Sequence, residues 1–367
     1  METRRGGGGF GGRLDPSLSV WPSPRASSRA IESRGPRNDV RIAVTSPGAS
    51  SSLSAGYRLR RPTPADIPAV ADLKRAVELA RHGESDVTPP QIVEEWALPR
   101  LVPNEDLWLV ETRSGELAGY ALVWMEHPPH VFVADQTVHP GHRGHGLSEL
   151  LLELSEARAV RAAGPAADGA PANLGVWTHA DDSARRALYE RHGFRCVRTF
   201  LRLEVALAEA PAAPVWPPGI AVRRFRRHRD EAAVHAASEE AFQDHWRPDS
   251  MDLDEWLAFR FERPDLDLDL WWVAWDGEEV AGSLLAFASP LGGYIDTLSV
   301  RRPWRRRGLG RALLREAFAE LRRRGLPRAY LGVDSENPTG AMGLYESVGM
   351  RPKRGAHLVY EKDLPGG

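Results

Sequence analysis

The sequence predicts an α/β protein with two tandem halves, each built on a central mixed sheet flanked by helices. Two observations predict this class. Short β-runs alternate with helical patterns, and the order of elements in one half is repeated in the other. Each half also contains a β-run that leads into a glycine-rich turn and then a helix. The 367 residues are enough for two domains and an additional segment.

The composition is typical of a globular protein and does not indicate a membrane protein or a nucleic-acid-binding protein. The 42% apolar content is typical of a globular protein, and the net charge of -2 gives the chain no general attraction to nucleic acid. The sequence contains no apolar run of about 18 residues, so no membrane segment is predicted. The only cysteine, Cys196, excludes an internal disulfide. This is typical of a reducing compartment, and we expect a cytoplasmic location.

Two segments lack periodic apolar residues. Residues 1–56 are rich in Gly, Ser, Pro and Arg, which predicts a disordered leader. Residues 209–218 are rich in proline and predict a semi-rigid linker. The predicted domains are therefore residues 57–208 and 219–364.

The elements of the two halves correspond one by one. The first half begins with a β-run, and Thr63 with Pro64 then marks a helix start. Gly115 and Gly277 lie between paired β-runs, as expected for hairpins. The predicted β-runs of the first half cover residues 57–61, 107–110, 118–123 and 133–138. Those of the second half cover residues 220–224, 271–274, 280–285 and 295–300. Residues 188–194 and 344–350 are a further pair of matching segments.

The turn after residues 295–300 carries the clearest chemical signal. Three arginines, 305–307, precede Gly308 and Gly310 at the start of an amphipathic helix. The first N–H groups of a helix lack partners within it, and the helix dipole favours an anion at that end. Glycines let a phosphate approach the backbone closely. The pattern predicts a diphosphate site.

These elements and two motifs resemble a tandem Gcn5-related N-acetyltransferase over residues 57–364. Arg305 to Gly310 fits the acyl-CoA signature of that family, Arg/Gln-x-x-Gly-x-Gly/Ala. Asn337, the sequence Leu344-Tyr345-Glu346 and Gly349 fit its second signature. The layout is similar to that of two-domain members of the mycothiol synthase type. The resemblance implies two such folds with splayed sheets and acetyl-CoA as the acetyl donor.

The resemblance also implies roles for individual residues. The implied acetyl-CoA contacts are Leu298, Ser299, Val300, Arg305, Arg306, Arg307, Gly308, Leu309, Gly310, Arg311 and Asn337. Tyr345 matches the general acid that protonates the leaving thiolate, with a packing role as the alternative. Asp296 and Glu240 are candidate bases, and Glu239, Asp244, His245 and a water chain are alternatives. Asp296 should share a face of its strand with Leu298 and Val300.

The first half departs from the family pattern. Ser148 replaces the second glycine of the signature, and Asp181 replaces Asn337. A carboxylate is a poor neighbour for a phosphate-bearing molecule. The weaker candidate site comprises Val138, Arg143, Gly144, His145, Gly146, Ser148 and Tyr189. We expect the second half to be catalytic and the first half to bind CoA or to serve as a scaffold.

The predicted acceptor is a primary amine of a small molecule. A protein lysine or N-terminus is the alternative acceptor, and a non-catalytic acyl-CoA sensor is the alternative of a different class. Neither the arginine clusters at residues 301–307 and 322–324 nor the aspartates at 265–269 predict a nucleic-acid or metal site. Helix ends and the diphosphate turn account for the arginines. A monomer and a homodimer both remain compatible with the sequence.

Overall fold

The computed structural model describes residues 56–98, 100–126, 130–163, 171–246, 252–261, 266–353 and 355–364. The predicted leader, apart from Gly56, lies outside these ranges. The described chain forms two compact units. The N-terminal unit holds the residues up to Val197, residues 258–261 and the chain from His357; the C-terminal unit holds the rest. Across these ranges no helix has the length and apolarity needed to span a bilayer.

The N-terminal unit has a mixed sheet with helices packed on it, as the sequence predicts. Strands β1 to β4 pair antiparallel in sequence order, and β4 pairs with β5 in parallel. Its elements are β1 (Tyr57–Arg60), α1 (Ile67–His82), α2 (Pro89–Trp96), α3 (Pro103–Asp106), β2 (Leu107–Thr112), β3 (Leu117–Met125), β4 (Val131–Val138), α4 (Leu147–Ala163), β5 (Asn173–His179) and α5 (Ser183–Arg191).

The C-terminal unit repeats this order, with β6 (Arg195–Ala206) preceding it in the chain. Strands β7 to β10 pair antiparallel, and β10 pairs with β11 in parallel. Its elements are β7 (Ile220–Arg224), α6 (Glu231–Phe242), α7 (Leu253–Phe261), β8 (Trp271–Asp276), β9 (Glu279–Ser289), β10 (Gly292–Val300), α8 (Leu309–Arg323), β11 (Arg328–Asp334), α9 (Ala341–Ser347) and β12 (Arg351–Pro352). The last strand of the chain is β13 (His357–Asp363).

Each sheet is completed by a strand from the other half of the sequence. Strand β6 pairs antiparallel with β11, from Arg328 opposite Ala206 to Asp334 opposite Phe200. Strand β13 pairs antiparallel with β5. The repeated pattern does not predict this exchange, because alternation along a strand identifies its buried face and not its partner. The predicted domains, residues 57–208 and 219–364, are contiguous segments. The compact units instead divide at residues 197/198 and 356/357.

Helix packing fixes the position of the strand that leads to the glycine–arginine turn. In the C-terminal unit Leu313 of α8 and Phe287 of β9 are fully buried. A Cβ atom at Gly293 on β10 would collide with the side chain of Leu321 on α8. Helix and strand are therefore in direct contact at that glycine. This contact holds the turn between β10 and α8 on a rigid support.

Candidate active site

The two parallel strands of the C-terminal unit pair only briefly before they separate. The parallel ladder joins Gly293 to Ala329 and Tyr294 to Tyr330, and β10 then continues to Val300. On the opposite side, the N–H of Arg301 donates to the carbonyl of Ala281 at 3.0 Å. Antiparallel bonding alternates along a strand, so the main-chain groups of alternate residues face away from β9.

Leu298 and Val300 are the residues whose main-chain groups face away from β9. Their side chains are half-buried. The carbonyl of Val300 accepts a hydrogen bond from Arg305 Nε at 3.0 Å. The exposed edge thus provides the N–H and C=O of Leu298 and the N–H of Val300 for a ligand. Ser299, which the sequence analysis grouped with them, is buried and hydrogen-bonded through Oγ to Ser283 Oγ at 2.8 Å.

Asp296 occupies a β-bulge on the same strand. Ile295 lies opposite Ala286 and Thr297 lies opposite Leu285, which leaves Asp296 as the extra residue. Thr297 Oγ1 donates to Asp296 Oδ2 at 2.7 Å. Bulges redirect side chains and often adjoin active sites. Asp296, Leu298 and Val300 are all half-buried. The bulge interrupts the regular alternation on which the predicted shared face of these three residues depended.

The glycine–arginine turn has the same backbone course in both units. Arg306 and Gly308 have φ of 61° and 89°, and Gly144 and Gly146 have φ of 81° and 77°. Gly308 is the N-cap residue of α8, and a Cβ atom there would meet nothing within 4 Å. The left-handed φ therefore accounts for this glycine, and the space beside it is open. The next N–H groups point out of the helix start.

Gly310 borders other segments of the protein. A Cβ atom at this position would lie 3.0 Å from Leu344 Cδ2 and 3.7 Å from Val300 Cγ2. The glycine therefore allows α8 to pack closely against α9 and β10. Its φ is not in the left-handed region. The close approach it permits is between protein segments, and Gly308 is the glycine that borders open space.

Three arginines of the cluster bind protein groups. Arg305 pairs with Asp244 Oδ2 at 2.6 Å and donates to the Ala241 carbonyl at 2.9 Å. Arg302 pairs with Asp244 Oδ1 at 2.5 Å. The hydrogen bonds from Arg302 and Arg305 hold the pKa of Asp244 well below its usual range. Arg301 pairs with Glu240 at 2.6 Å. These contacts connect the turn to the end of α6. The carboxylates of Asp244 and Glu240 are both ion-paired with arginines of the turn.

The other arginines face solvent around the helix start. Arg306, Arg307 and Arg311 are exposed. Within the described ranges neither Arg306 nor Arg307 has an ion-pair partner, and Arg311 Nε donates to Ser347 Oγ at 3.1 Å. These three guanidinium groups, with the free N–H groups of α8, form a cationic rim suited to a diphosphate. Leu309, by contrast, is buried and packs into the core.

Tyr345 and Tyr189 occupy equivalent helical positions but have different surroundings. Tyr345 on α9 is half-buried, and burial raises the pKa of its phenol to about 12. No hydrogen bond joins its hydroxyl to any described residue. Tyr189 on α5 is fully buried and donates to the Trp177 carbonyl at 3.1 Å. Asn337 forms an Asx turn onto the N–H of Thr339 at 2.9 Å and so shapes the approach to α9.

His245 is a further titratable group beside the cluster of arginines. It follows α6, is half-buried and lies with its ring 4.4 Å from that of Phe242. Burial lowers its pKa below the ordinary histidine value, with Asp334 acting in the opposite direction and Arg305 in the same direction. A neutral imidazole that is partly shielded from water can accept a proton near neutral pH.

The residues of the weaker candidate site form a turn of similar shape with different side chains. Val138 is buried, Ser148 is half-buried, and Arg143 and His145 are exposed. Arg143 takes the place of Arg305. Among the described residues Arg143 forms no ion pair like the one that holds Arg305 to Asp244.

The neighbouring histidines of that turn lie close together. Ligand atoms of Glu116, His139 and His142 fall within 4.8 Å of one another. The N–H of Gly141 donates to His139 Nδ1 at 3.2 Å, and the Tyr57 hydroxyl bonds His142 Nδ1 at 3.0 Å. The histidines are thus part of the hydrogen-bond network of the turn.

Comparison with known proteins agrees with this geometry. The model of the Acetyltransferase (GNAT) family matches residues 70–194 and 232–350, which together are more than half of the chain. The mycothiol acetyltransferase of Streptomyces scabiei is 34% identical over 255 residues, which cover 68% of this chain and 75% of the relative. That of Salinispora arenicola is 33% identical over 324 residues, which cover 83% and 97%.

Solved structures show the same architecture. A GCN5-related N-acetyltransferase from Sphaerobacter thermophilus has a TM-score of 0.71 and 32% identity, over 86% of this chain and 98% of that one. A tandem GNAT protein from the clavulanic acid biosynthesis pathway has a TM-score of 0.65 at 16% identity, over 85% and 99%, which is a likeness of fold. Since the family model matches both halves, this chain belongs to the Gcn5-related N-acetyltransferase family, and acetyl-CoA is its acetyl donor.

Proposed function

We propose that the C-terminal unit transfers the acetyl group of acetyl-CoA to a primary amine of a small molecule, by direct attack in a ternary complex. The asymmetry between the two tyrosines carries the assignment to this unit. The hydroxyl of Tyr345 is available, whereas that of Tyr189 is bonded to the Trp177 carbonyl. The open strand edge and the cationic rim of Arg306, Arg307 and Arg311 lie in the same unit as Tyr345.

The donor would bind along the open edge of β10. Its pantetheine amides would extend the sheet by pairing with the main chain of Leu298 and Val300. Its diphosphate would accept hydrogen bonds from the first N–H groups of α8, with Arg306, Arg307 and Arg311 contributing charge. Arg305 supports this site indirectly, because it holds the turn against α6 through Asp244.

The chemical step needs one base and one acid. The neutral amine attacks the thioester carbonyl, a C–N bond forms, and the C–S bond breaks to release the CoA thiolate. A main-chain N–H of β10 would stabilise the oxyanion of the tetrahedral intermediate. Tyr345 would donate its proton to the thiolate, and the proton that the attacking nitrogen loses would restore the phenol. Its raised pKa keeps the phenol protonated at neutral pH, and the same desolvation disfavours a free thiolate.

Two groups remain as bases for the acceptor ammonium. Asp296 is half-buried and lies at the bulge of β10. His245 has a pKa lowered by burial and is neutral at physiological pH. Glu240 is less suited, because its carboxylate is ion-paired with Arg301 at 2.6 Å.

The acceptor class is inferred from the relatives of this chain. Curated relatives at 33–34% identity carry the name mycothiol acetyltransferase, which favours a small-molecule acceptor over a protein lysine or N-terminus. A non-catalytic acyl-CoA sensor would not require an available phenol at position 345. We place the reaction in the cytoplasm, in keeping with the single cysteine of the chain.

A thiol-release assay tests the acceptor class. With acetyl-CoA and the full-length protein, at least one small amine among amino acids, polyamines, aminoglycosides and thiol-sugar precursors should accelerate CoA release above the amine-free rate. Peptides with a lysine or a free N-terminus form the comparison set. Turnover with peptides alone would show a protein acceptor. Tight binding of acetyl-CoA with no transfer to any amine would indicate the sensor.

Replacement of Tyr345 should separate catalysis from binding. In Tyr345→Phe we expect kcat to fall by about 10²-fold, because the thiolate loses its proton donor. The acetyl-CoA Kd should change by no more than about twofold, since the ring remains. Tyr189→Phe is the matched control and should leave kcat unchanged. Equal kcat for Tyr345→Phe and the unmodified enzyme would remove the acid from the mechanism.

The pH dependence of kcat/KM distinguishes the two bases. If His245 is the base, the rate should fall on the acidic side with a midpoint below about 6.5, because burial lowers its pKa and only the neutral form accepts a proton. His245→Gln would then abolish this limb, and Asp296→Asn would preserve it. The reverse outcome assigns the base to Asp296. An unchanged profile in both variants would contradict both assignments and leave a water chain.

A further inference from the structure

The N-terminal unit repeats the strand geometry of the acetyl-CoA site. Strands β4 and β5 pair in parallel from Val131 to Ala134, and β4 then continues to Val138. The N–H of His139 donates to the Ala118 carbonyl at 2.9 Å. By the same alternation as in β10, Gln136 and Val138 direct their main-chain groups away from β3. This edge corresponds to that of Leu298 and Val300.

An arginine of the same unit occupies the edge. Arg185 Nη1 donates to the carbonyl of Gln136 at 2.8 Å. Arg185 lies on α5 four residues before Tyr189 and therefore on the same helical face. Its guanidinium also interacts with the charges of Asp182 and Asp135 and with the Tyr189 phenol. The equivalent position of α9, four residues before Tyr345, is Ala341.

A second arginine forms ion pairs with residues that flank the cleft, by which we mean the space where β4 and β5 separate. Arg81 of α1 pairs with Asp181 Oδ1 at 2.5 Å and with Asp182 Oδ2 at 2.6 Å. Asp182 is also the N-cap of α5 and accepts the Arg185 N–H at 3.0 Å. In the C-terminal unit the residue equivalent to Asp181 is Asn337, which carries no charge and bonds Thr339.

A cluster of charged side chains lies next to Gln136 in the N-terminal unit. Lys74 pairs with Glu95 at 2.5 Å and with Asp135 at 2.7 Å, and all three side chains are largely shielded from water. The Tyr120 hydroxyl donates to the second oxygen of Glu95 at 2.5 Å. Buried ions depend on their partners, so a ligand that displaced one member would leave the others uncompensated.

We propose that the cleft of the N-terminal unit is closed to acyl-CoA by its own side chains, with Arg185 taking the strand-edge hydrogen bond that a pantetheine arm would need. This inference rests on the proposed function only for the position of the open site in the C-terminal unit. The chain then binds one acetyl-CoA, and its first half is a folding scaffold with a charged interior in place of a second active site.

Native mass spectrometry and calorimetric titration with acetyl-CoA give the stoichiometry. One equivalent should bind to the unmodified protein, and Gly308→Val should raise the Kd of that equivalent at least about tenfold. Two equivalents, or one whose Kd is unchanged in Gly308→Val, would overturn the closed cleft. No binding at all to the unmodified protein would contradict the proposed function while agreeing with a closed N-terminal cleft.

Opening the cleft gives the complementary test. The double variant Arg81→Ala with Arg185→Ala should bind a second, weaker equivalent, because the edge at Gln136 becomes available. Arg186→Ala, next to Arg185 on the same helix, is the matched control and should still bind one equivalent. Retained binding at the first site and a cooperative melting transition show that the double variant is folded. A folded double variant that still binds a single equivalent would overturn the assignment to these arginines.

Discussion

The proposed roles of the two halves depend on main-chain groups left unpaired where two parallel strands separate. A buried N–H or C=O without a partner is costly, so every such edge must be satisfied by something. In the C-terminal unit, Leu298 and Val300 present this edge and a small Ala341 lies on the facing helix. In the N-terminal unit, Arg185 donates to the carbonyl of Gln136 and so satisfies that acceptor of the edge internally. In our proposal, the difference between Arg185 in one half and Ala341 in the other separates a scaffold from a binding site.

Much of the architecture follows from the sequence, because periodicity and glycine-rich turns are local properties. The mixed sheets, the tandem order and the turn before α8 were predictable from such patterns. The exchange of β6 and β13 was not, because strand partners are chosen by three-dimensional packing. The bulge at Asp296 also has no local signature. The contrast between Arg185 and Ala341 is visible in the sequence, since each precedes a tyrosine by four residues.

The sequence alone does not predict which arginines of the cluster bind protein groups and which face solvent. A run of identical residues does not reveal which guanidinium groups meet a carboxylate within the fold. Arg302 and Arg305 are bound to Asp244, and Arg301 to Glu240, so these residues support the turn. The charge available to a ligand comes from the exposed members that follow. The sequence also does not reveal that a Cβ atom at Gly310 would meet Leu344 and Val300, so that this glycine permits close packing.

The acetyl-CoA affinities of two matched glycine variants test the central claim most directly. Gly308 and Gly146 both have left-handed φ and open space beside them, so Gly308→Val and Gly146→Val impose comparable backbone strain. If the open turn of the C-terminal unit holds the diphosphate, Gly308→Val should raise the Kd at least about tenfold, while Gly146→Val leaves it unchanged. Equal affinities in the two variants, or a loss confined to Gly146→Val, would contradict the account.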